Sequence, residues 1–377
     1  MKKLFILLYV SLIGILTACE TILPLDMPEG EEWGITLNAV ASPDTTFYAY
    51  VTHCYPNTEA PDYAYKNTTD FVHWELDPVS DYYQSMLYSY YYYEYDEDNA
   101  PPFNNKKGYN LIKESAIPDA KVELTVNDET NYPMVYDTLM LCYQSDYTPV
   151  IGDRLEVRIK HASSEQTIAR TEVPRPQKLE ILEAIPEFFE RKEYDGPFGT
   201  TNQGYLKLRL RLHDPAGERN YYRLAVRSIH SVTEINEIAI WDLYSSSDPI
   251  FRDERLTSEW DIHWPAYFSD VFDDSQINGE VYEFEVQTYI LKYESYPDYW
   301  PSYEISLQSI TEDYYRYLKS MQLYRISRED TYSEGVYIHS NNEGGWGLLG
   351  GISGEVHRVE PFKDMNESSE GNGSPTN

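Results

Sequence analysis

The residue best placed for chemistry is Cys19, whose thiol closes the run Leu16-Thr17-Ala18-Cys19. Lys2 and Lys3 precede an apolar stretch from Leu4 to Leu16, the composition of an export leader and too short to span a bilayer as a stable helix. A thiol at such a cut accepts a diacylglyceryl group. The expectation is a lipoprotein signal peptide over 1–18, removed on export, with lipid on Cys19 tying the mature chain to a membrane. Only two other cysteines occur, Cys54 and Cys142. With Cys19 taken by lipid, they are the one pair that an oxidising envelope could join as a disulfide, the alternative being two buried thiols.

Aromatic chemistry concentrates in a long segment at about 56–110, where Tyr90, Tyr91, Tyr92, Tyr93 and Tyr95 follow Tyr82, Tyr83 and Tyr88 among Pro, Asn and Asp. Such rings, exposed, stack on a sugar, a peptide or a partner protein; paired across strands, they pack on one another instead. The neighbouring acids Glu94 to Asn99 attract cations but lack the order of acids and Gly in an EF-hand loop, so no metal site is assigned. His73-Trp74-Glu75 lacks the later cysteine pair of a zinc deaminase, and no H-E-x-x-H occurs. Gly351-Ile352-Ser353-Gly354-Glu355 puts Glu where a nucleophile elbow needs its last Gly. The run Gly344 to Gly351 lacks the Lys of a phosphate loop, and its glycines are expected to let a terminal strand bend or pass close to a neighbour. No catalytic residue and no cofactor follow from these patterns.

Charge narrows the partners. The chain carries 63 Asp and Glu against 30 Lys and Arg, a formal net charge of −33, two units more negative once residues 1–18 are gone. Nucleic acid is excluded as a natural partner, since phosphate-backbone binding needs clustered cations. Of the aromatic residues, 37 are Tyr against 12 Phe and 7 Trp, a balance that favours rings with an apolar body and a wet tip.

These groups must be positioned by strands. Residues 19–32 form an acidic tether with Glu20, Asp26, Glu29, Glu31 and Glu32. From Trp33 onward, short period-2 segments alternate with turns. Val122, Leu124 and Val126, then Leu155, Val157 and Ile159, fall on alternate positions, as half-buried strands require. Val173-Pro174-Arg175-Pro176 interrupts the pattern and marks a domain boundary. Beyond it, Leu206 to Leu212 alternates with Lys and Arg, the turn Asp214-Pro215-Ala216-Gly217 follows, and Tyr222, Leu224 and Val226 alternate again, which predicts a hairpin. Asn278-Gly279 before Tyr282, Phe284 and Val286 predicts a second. Ser309-Ile310-Thr311-Glu312 fits a capping box, and the apolar spacing predicts a helix over about 310–322. Residues 362–377 hold almost nothing to bury and are expected to be disordered.

Several stretches resemble a family of Bacteroidota outer-membrane lipoproteins catalogued as a domain of unknown function, whose members accompany SusC-like TonB-dependent transporters. They are Leu25-Asp26-Met27-Pro28-Glu29-Gly30, Ile117 to Val122, Gly152 to Pro174, His213 to Gly217 with Asn220 to Leu224, Phe268-Ser269-Asp270, and Tyr314 to Leu318 leading to Ser340 to Gly347. With the strand pattern, the expectation is a mainly β fold: a β-sandwich at 33–173, immunoglobulin-like as the resemblance implies, followed by a larger β-rich domain at 177–361 with one helix; the Tyr-rich insertion in the first is a departure from the family's pattern. The resemblance also implies an outer-membrane location, lipid-anchored; the acids after Cys19 are compatible with surface exposure but do not form the tight run directly after the cysteine that would fix the face. Asp44-Thr45-Thr46 and Asp137-Thr138-Leu139 resemble the O-glycosylation sequon of these bacteria, which makes Thr45 and Thr138 candidate acceptors.

The function so expected is non-enzymatic binding in TonB-dependent nutrient uptake. A lipid anchor would hold a binder for a small molecule, glycan or peptide beside the transporter and raise the local ligand concentration. A structural or adhesive surface lipoprotein is the alternative, and a surface hydrolase the third reading.

Overall fold

Four leucines in perfect alternation, Leu206, Leu208, Leu210 and Leu212, are all fully buried, while Lys207, Arg209 and Arg211 between them face outward. A strand throws successive side chains to opposite faces, so this pattern can bury only one side. The same logic repeats through a mainly β chain. The computed structural model describes residues 34–53, 115–162, 164–193, 200–233, 236–241, 244–256, 267–293, 301–329 and 336–362. The leader, the tether, the segment holding Cys54 and Tyr90 to Tyr95, and residues 363–377 lie outside them.

In chain order the strands are β1 (Ile35–Ala41), β2 (Tyr48–His53), β3 (Lys121–Val126), β4 (Thr130–Pro133), β5 (Val135–Asp137), β6 (Cys142–Gln144), β7 (Arg154–His161), β8 (Ser164–Glu172) and β9 (Lys178–Glu193). There follow β10 (Thr200–His213), β11 (Tyr221–Thr233), β12 (Asn236–Trp241), β13 (Tyr244–Ser245), β14 (Val271–Asp273), β15 (Val281–Tyr293), β16 (Ser302–Ile310), the helix α1 (Glu312–Glu329) and β17 (Trp346–Val359). They build three sheets. The largest runs β12-β11-β16-β17-β1-β2-β6-β5, with β14 also paired to β11; the others run β13-β15-β10-β9 and β4-β3-β7-β8.

Both four-stranded sheets cover the large one. Val122, Leu124, Val126, Leu155, Val157 and Ile159 pack with Ile35, Leu37, Ala39, Phe47 and Leu349 in one core. The four leucines of β10, with Phe284 and Val286 of β15, pack with Tyr222, Leu224 and Val226 of β11 and Ile305 and Leu307 of β16 in a second. Phe362, the first residue of the expected tail, is buried in that second core. The opposite face of the large sheet receives α1, where Tyr314, Tyr317, Leu318 and Met321 meet Val40, Tyr221, Ile310, Leu348 and Ile352. Strands from both sides of Val173 to Pro176 share the large sheet, because β17 returns to lie parallel to β1, with Thr36 opposite Trp346 and Ala41 opposite Gly351.

Three local expectations change. Neither predicted hairpin forms: β10 pairs with β9 and β15, whereas β11 pairs with β12, β14 and β16. The Asp214 to Gly217 turn carries the chain across the core from one sheet to the other. The reason is that the apolar phases of β10 and β11 are buried against each other, which places the strands face to face rather than edge to edge. Likewise β14 and β15, on either side of Asn278-Gly279, belong to different sheets. The helix begins at Glu312 and continues to Glu329. Ser309 and Ile310 stay in the β16–β17 ladder opposite Ser353 and Ile352. Thr311 is the junction: its N–H donates to the Gly351 carbonyl at 3.1 Å, and its hydroxyl accepts from the Gly351 N–H at 3.1 Å. Glu312 and Asp313 then put negative charge on the first turn, where the helix dipole favours it.

Candidate functional site

The outer face of the β9–β10–β15 sheet carries an ordered surface. Its polar phase holds a ladder of ion pairs: Arg211 to Glu283 at 2.5 Å and Glu180 at 3.2 Å, Arg209 to Glu283 at 2.9 Å and Glu183 at 3.2 Å, and Lys207 to Glu187 at 2.8 Å. Toward the start of β10 the same phase changes from charge to aromatic. Tyr205 lies directly opposite Tyr289 of β15, with ring centroids 6.2 Å apart, and the Phe189 ring of β9 is 5.1 Å from Tyr205.

A register shift places the third ring. Gly204 pairs with Phe188 and Gln203 with Glu190, so Phe189 is the extra residue of a bulge. A Cβ on residue 204 would overlap the Glu187 carbonyl oxygen, so only glycine lets β9 approach there. Phe188 keeps contact with Phe362 at 6.4 Å, while Phe189 turns outward and is 56 % exposed. Tyr289 is 46 % exposed. Three adjacent strands therefore carry a row of rings, exposed at Phe189 and Tyr289 and half-buried at Tyr205 between them, bordered by the Lys207–Glu187 pair. Tyr289 stands at 75° to Tyr205 and Phe189 is tilted by 36°, so the rings offer a ligand both a face and an edge, while the border supplies hydrogen-bond donors and acceptors.

A second cluster could do different chemistry. Lys319 of α1 donates to Ser269 Oγ at 2.8 Å and to Asp253 Oδ2 at 3.1 Å. A serine hydroxyl beside a buried lysine is the pairing of Ser–Lys nucleophilic catalysis. Burial lowers the Lys319 pKa against the pull of Asp253. Burial alone would raise the Asp253 carboxyl, but bonds from Arg255 and the charge of Lys319 override it and hold it well below the usual carboxylate range. Ser269 itself is 0 % exposed, and its single hydroxyl proton has two acceptors within reach, Val271 O at 2.8 Å and Gln322 Oε1 at 2.9 Å. Gln322 Nε2 in turn donates to Asp270 at 2.6 Å, and Asp270 accepts from Arg223 Nε of β11 at 2.9 Å. The network is sealed. It ties α1 to the loop before β14 and to the sheet beneath, which is scaffold work.

The stretches that carried the family resemblance serve the same end. Asp214, buried, accepts from Tyr222 Oη at 2.5 Å and from the Gly279 N–H at 2.8 Å, locking the two cross-core turns together. Asn341 Nδ2 donates to Leu349 O at 2.9 Å and Asn342 Nδ2 to Leu37 O at 3.0 Å, strapping the segment before β17 onto the large sheet. A Cβ on Gly351 would overlap the Glu172 carbonyl oxygen, so the expected close passage of a glycine-rich strand is what β17 makes.

Of the residues singled out from sequence, Cys19, Cys54, Tyr90, Tyr91, Tyr92, Tyr93 and Tyr95 lie outside the described residues. Cys142 is buried with a free thiol, and burial pushes that thiol up to about 12. Thr138 is exposed at the turn between β5 and β6, where Asp137 accepts from the Leu139 and Met140 N–H groups at 2.8 and 3.0 Å. Thr45 is half-buried and donates to Thr46 O at 3.4 Å. Among the described residues no group of three or more His, Cys, Asp or Glu is placed to hold a metal ion. Sequence reasoning missed the ring row on β9, β10 and β15. A signal for two of its members exists: Tyr205 shares its phase with Gln203, Lys207, Arg209 and Arg211, and Tyr289 shares its own with Glu283, Glu285 and Gln287.

A family model described as a domain of unknown function (DUF4249) matches residues 95–357, and the chain belongs to that family. No curated protein and no solved structure matches the chain.

Proposed function

We propose that this family member is an outer-membrane lipoprotein, held by lipid on Cys19, that captures a ligand for a TonB-dependent transporter without chemically altering it. The observation that carries the reading is the ring row at the end of the ion-pair ladder, with Phe189 and Tyr289 exposed and Tyr205 half-buried between them. An exposed aromatic cluster costs solubility and contributes nothing to the core, so its natural use is contact with something outside the chain. The buried Ser269–Lys319 pair supports binding over hydrolysis, because no substrate reaches a hydroxyl that is 0 % exposed. The lipobox and the acidic tether support membrane attachment, which concentrates the binder where the transporter works. An immunoglobulin-like N-terminal domain belongs to this reading, as the family resemblance implies.

The test is a calorimetric panel of neutral oligosaccharides and peptides on the full mature chain, repeated with Phe189, Tyr205 and Tyr289 all changed to Ser. Loss of heat for one ligand class in the variant, with the melting temperature kept, supports the reading. A ligand bound equally by both proteins moves the site elsewhere, and turnover of any panel member removes the binder assignment.

A further inference from the structure

One exposed aromatic pair lies far from the ring row in the sequence. Trp346, the first residue of β17, is 48 % exposed and stands edge-on to Tyr337, which is 68 % exposed, with centroids 6.3 Å apart. Its neighbours each have an architectural task. Asn341 and Asn342 bond backbone carbonyls of the large sheet, Glu343 pairs with Arg170 of β8 at 2.6 Å and bridges Ile168, and Thr167 Oγ1 donates to Gly344 O at 3.1 Å. The segment is thus strapped to the sheets, while Tyr337 and Trp346 belong to none of the buried clusters.

Their place in the fold is specific. Trp346 lies opposite Thr36 in the parallel β1–β17 ladder, two residues after Gly34. That is the end of β1 where the chain arrives from Cys19. Whatever path residues 19–33 take, a fold tethered through Gly34 is restrained at this end. Trp and Tyr are the side chains that settle at a bilayer interface, with the ring among the upper acyl carbons and the polar tip at the headgroups.

We infer that Tyr337 and Trp346 form an interfacial contact with the lipid surface into which the Cys19 acyl chains insert. The contact orients the fold on the membrane rather than anchoring it, since the acyl chains supply the anchorage. It presents the remainder of the large sheet and the ring row away from that point. The inference rests on lipidation of Cys19 but not on the identity of any captured ligand.

The experiment uses the full lipidated chain reconstituted in phosphatidylcholine vesicles whose acyl chains carry bromine near the headgroup, which quenches tryptophan only at close range. Both proteins carry Trp33→Phe, since Trp33 precedes Gly34 on the tether side; the protein with Trp346 is expected to be quenched relative to unbrominated vesicles, and the one with Trp346→Phe to lose most of that difference while staying vesicle-bound. Equal quenching in the two proteins, or none in the lipidated protein with Trp346, overturns the contact. A mature chain whose mass shows no lipid on Cys19 overturns the anchor, and the orientation argument with it. Ligand capture is read separately by calorimetry on the same preparations.

Discussion

Replacing Lys319 by Met tests whether the Ser269–Lys319–Asp253 cluster is a scaffold. The ammonium side chain is 12 % exposed and its two acceptors are almost fully buried. Met keeps the stem and removes the charge. Asp253 then keeps Arg255, whose bonds at 2.8 and 2.9 Å come from a side chain 60 % exposed, so its charge is partly compensated from the solvent side. Breaking a buried ion pair from one side costs about 3–5 kcal/mol, and the surviving Arg255 places this case near the lower end, at about 3 kcal/mol. For a chain of this size the transition entropy converts that to a fall in Tm of about 5 °C. The assay is urea and thermal unfolding of the mature chain followed by far-ultraviolet circular dichroism at neutral pH. Lys319→Met with Asp253→Leu should recover to within about 1 kcal/mol of wild type, because an apolar pair of similar volume removes both desolvation penalties. A single variant costing under about 1 kcal/mol, or a double variant that loses the sum of the two singles, refutes the argument.

Acid titration gives a linked outcome. The Asp253 carboxyl is depressed in the fold, so its stabilisation is complete above the unfolded carboxylate range near pH 4 and drains away as pH falls through the lower folded value. Asp253→Asn should flatten that part of the stability–pH curve, and an unchanged acid limb would contradict it. Gly351→Ala is expected to destabilise by about 3 kcal/mol or more, because the new methyl meets the fixed Glu172 carbonyl rather than a side chain that can move; a chain that melts like wild type would disprove the close approach. The Cys142 thiol should resist iodoacetamide in the folded chain and react after denaturation, as burial and a pKa of about 12 require. Rapid native labelling located at Cys142 by peptide mass mapping would show that the site opens.

Tyr205 and Tyr289 show where reading the sequence stops short. Each is an ordinary strand aromatic in its own segment, and nothing local says that the two stand opposite each other in register. Phe189 is harder still, since its outward turn depends on a bulge that Gly204 permits on a different strand. The motif residues were easier to notice than to interpret. Asp214 and Gly279 drew attention as separate turns, and only their mutual bond makes them a clasp. Ser269 and Lys319 lie 50 residues apart and drew no chemical reading at all.

The alternation of Leu206 to Leu212, of Val122 to Val126 and of Leu155 to Ile159 was enough to decide that these segments are strands and which side of each is buried. The spacing of Tyr314, Tyr317, Leu318 and Met321 likewise decided that a helix lays one stripe on a sheet. Those properties follow from backbone periodicity, which is local. What each face is buried against was decided only in three dimensions. The period-2 code is the same for a strand that turns back beside its predecessor and for one that crosses the core to face it, so β10 and β11 read as a hairpin and became opposing layers. The parallel union of β1 with β17, joining residues 36 and 346, depends on glycines and asparagines that reveal their purpose only when the distant carbonyls they approach are in place.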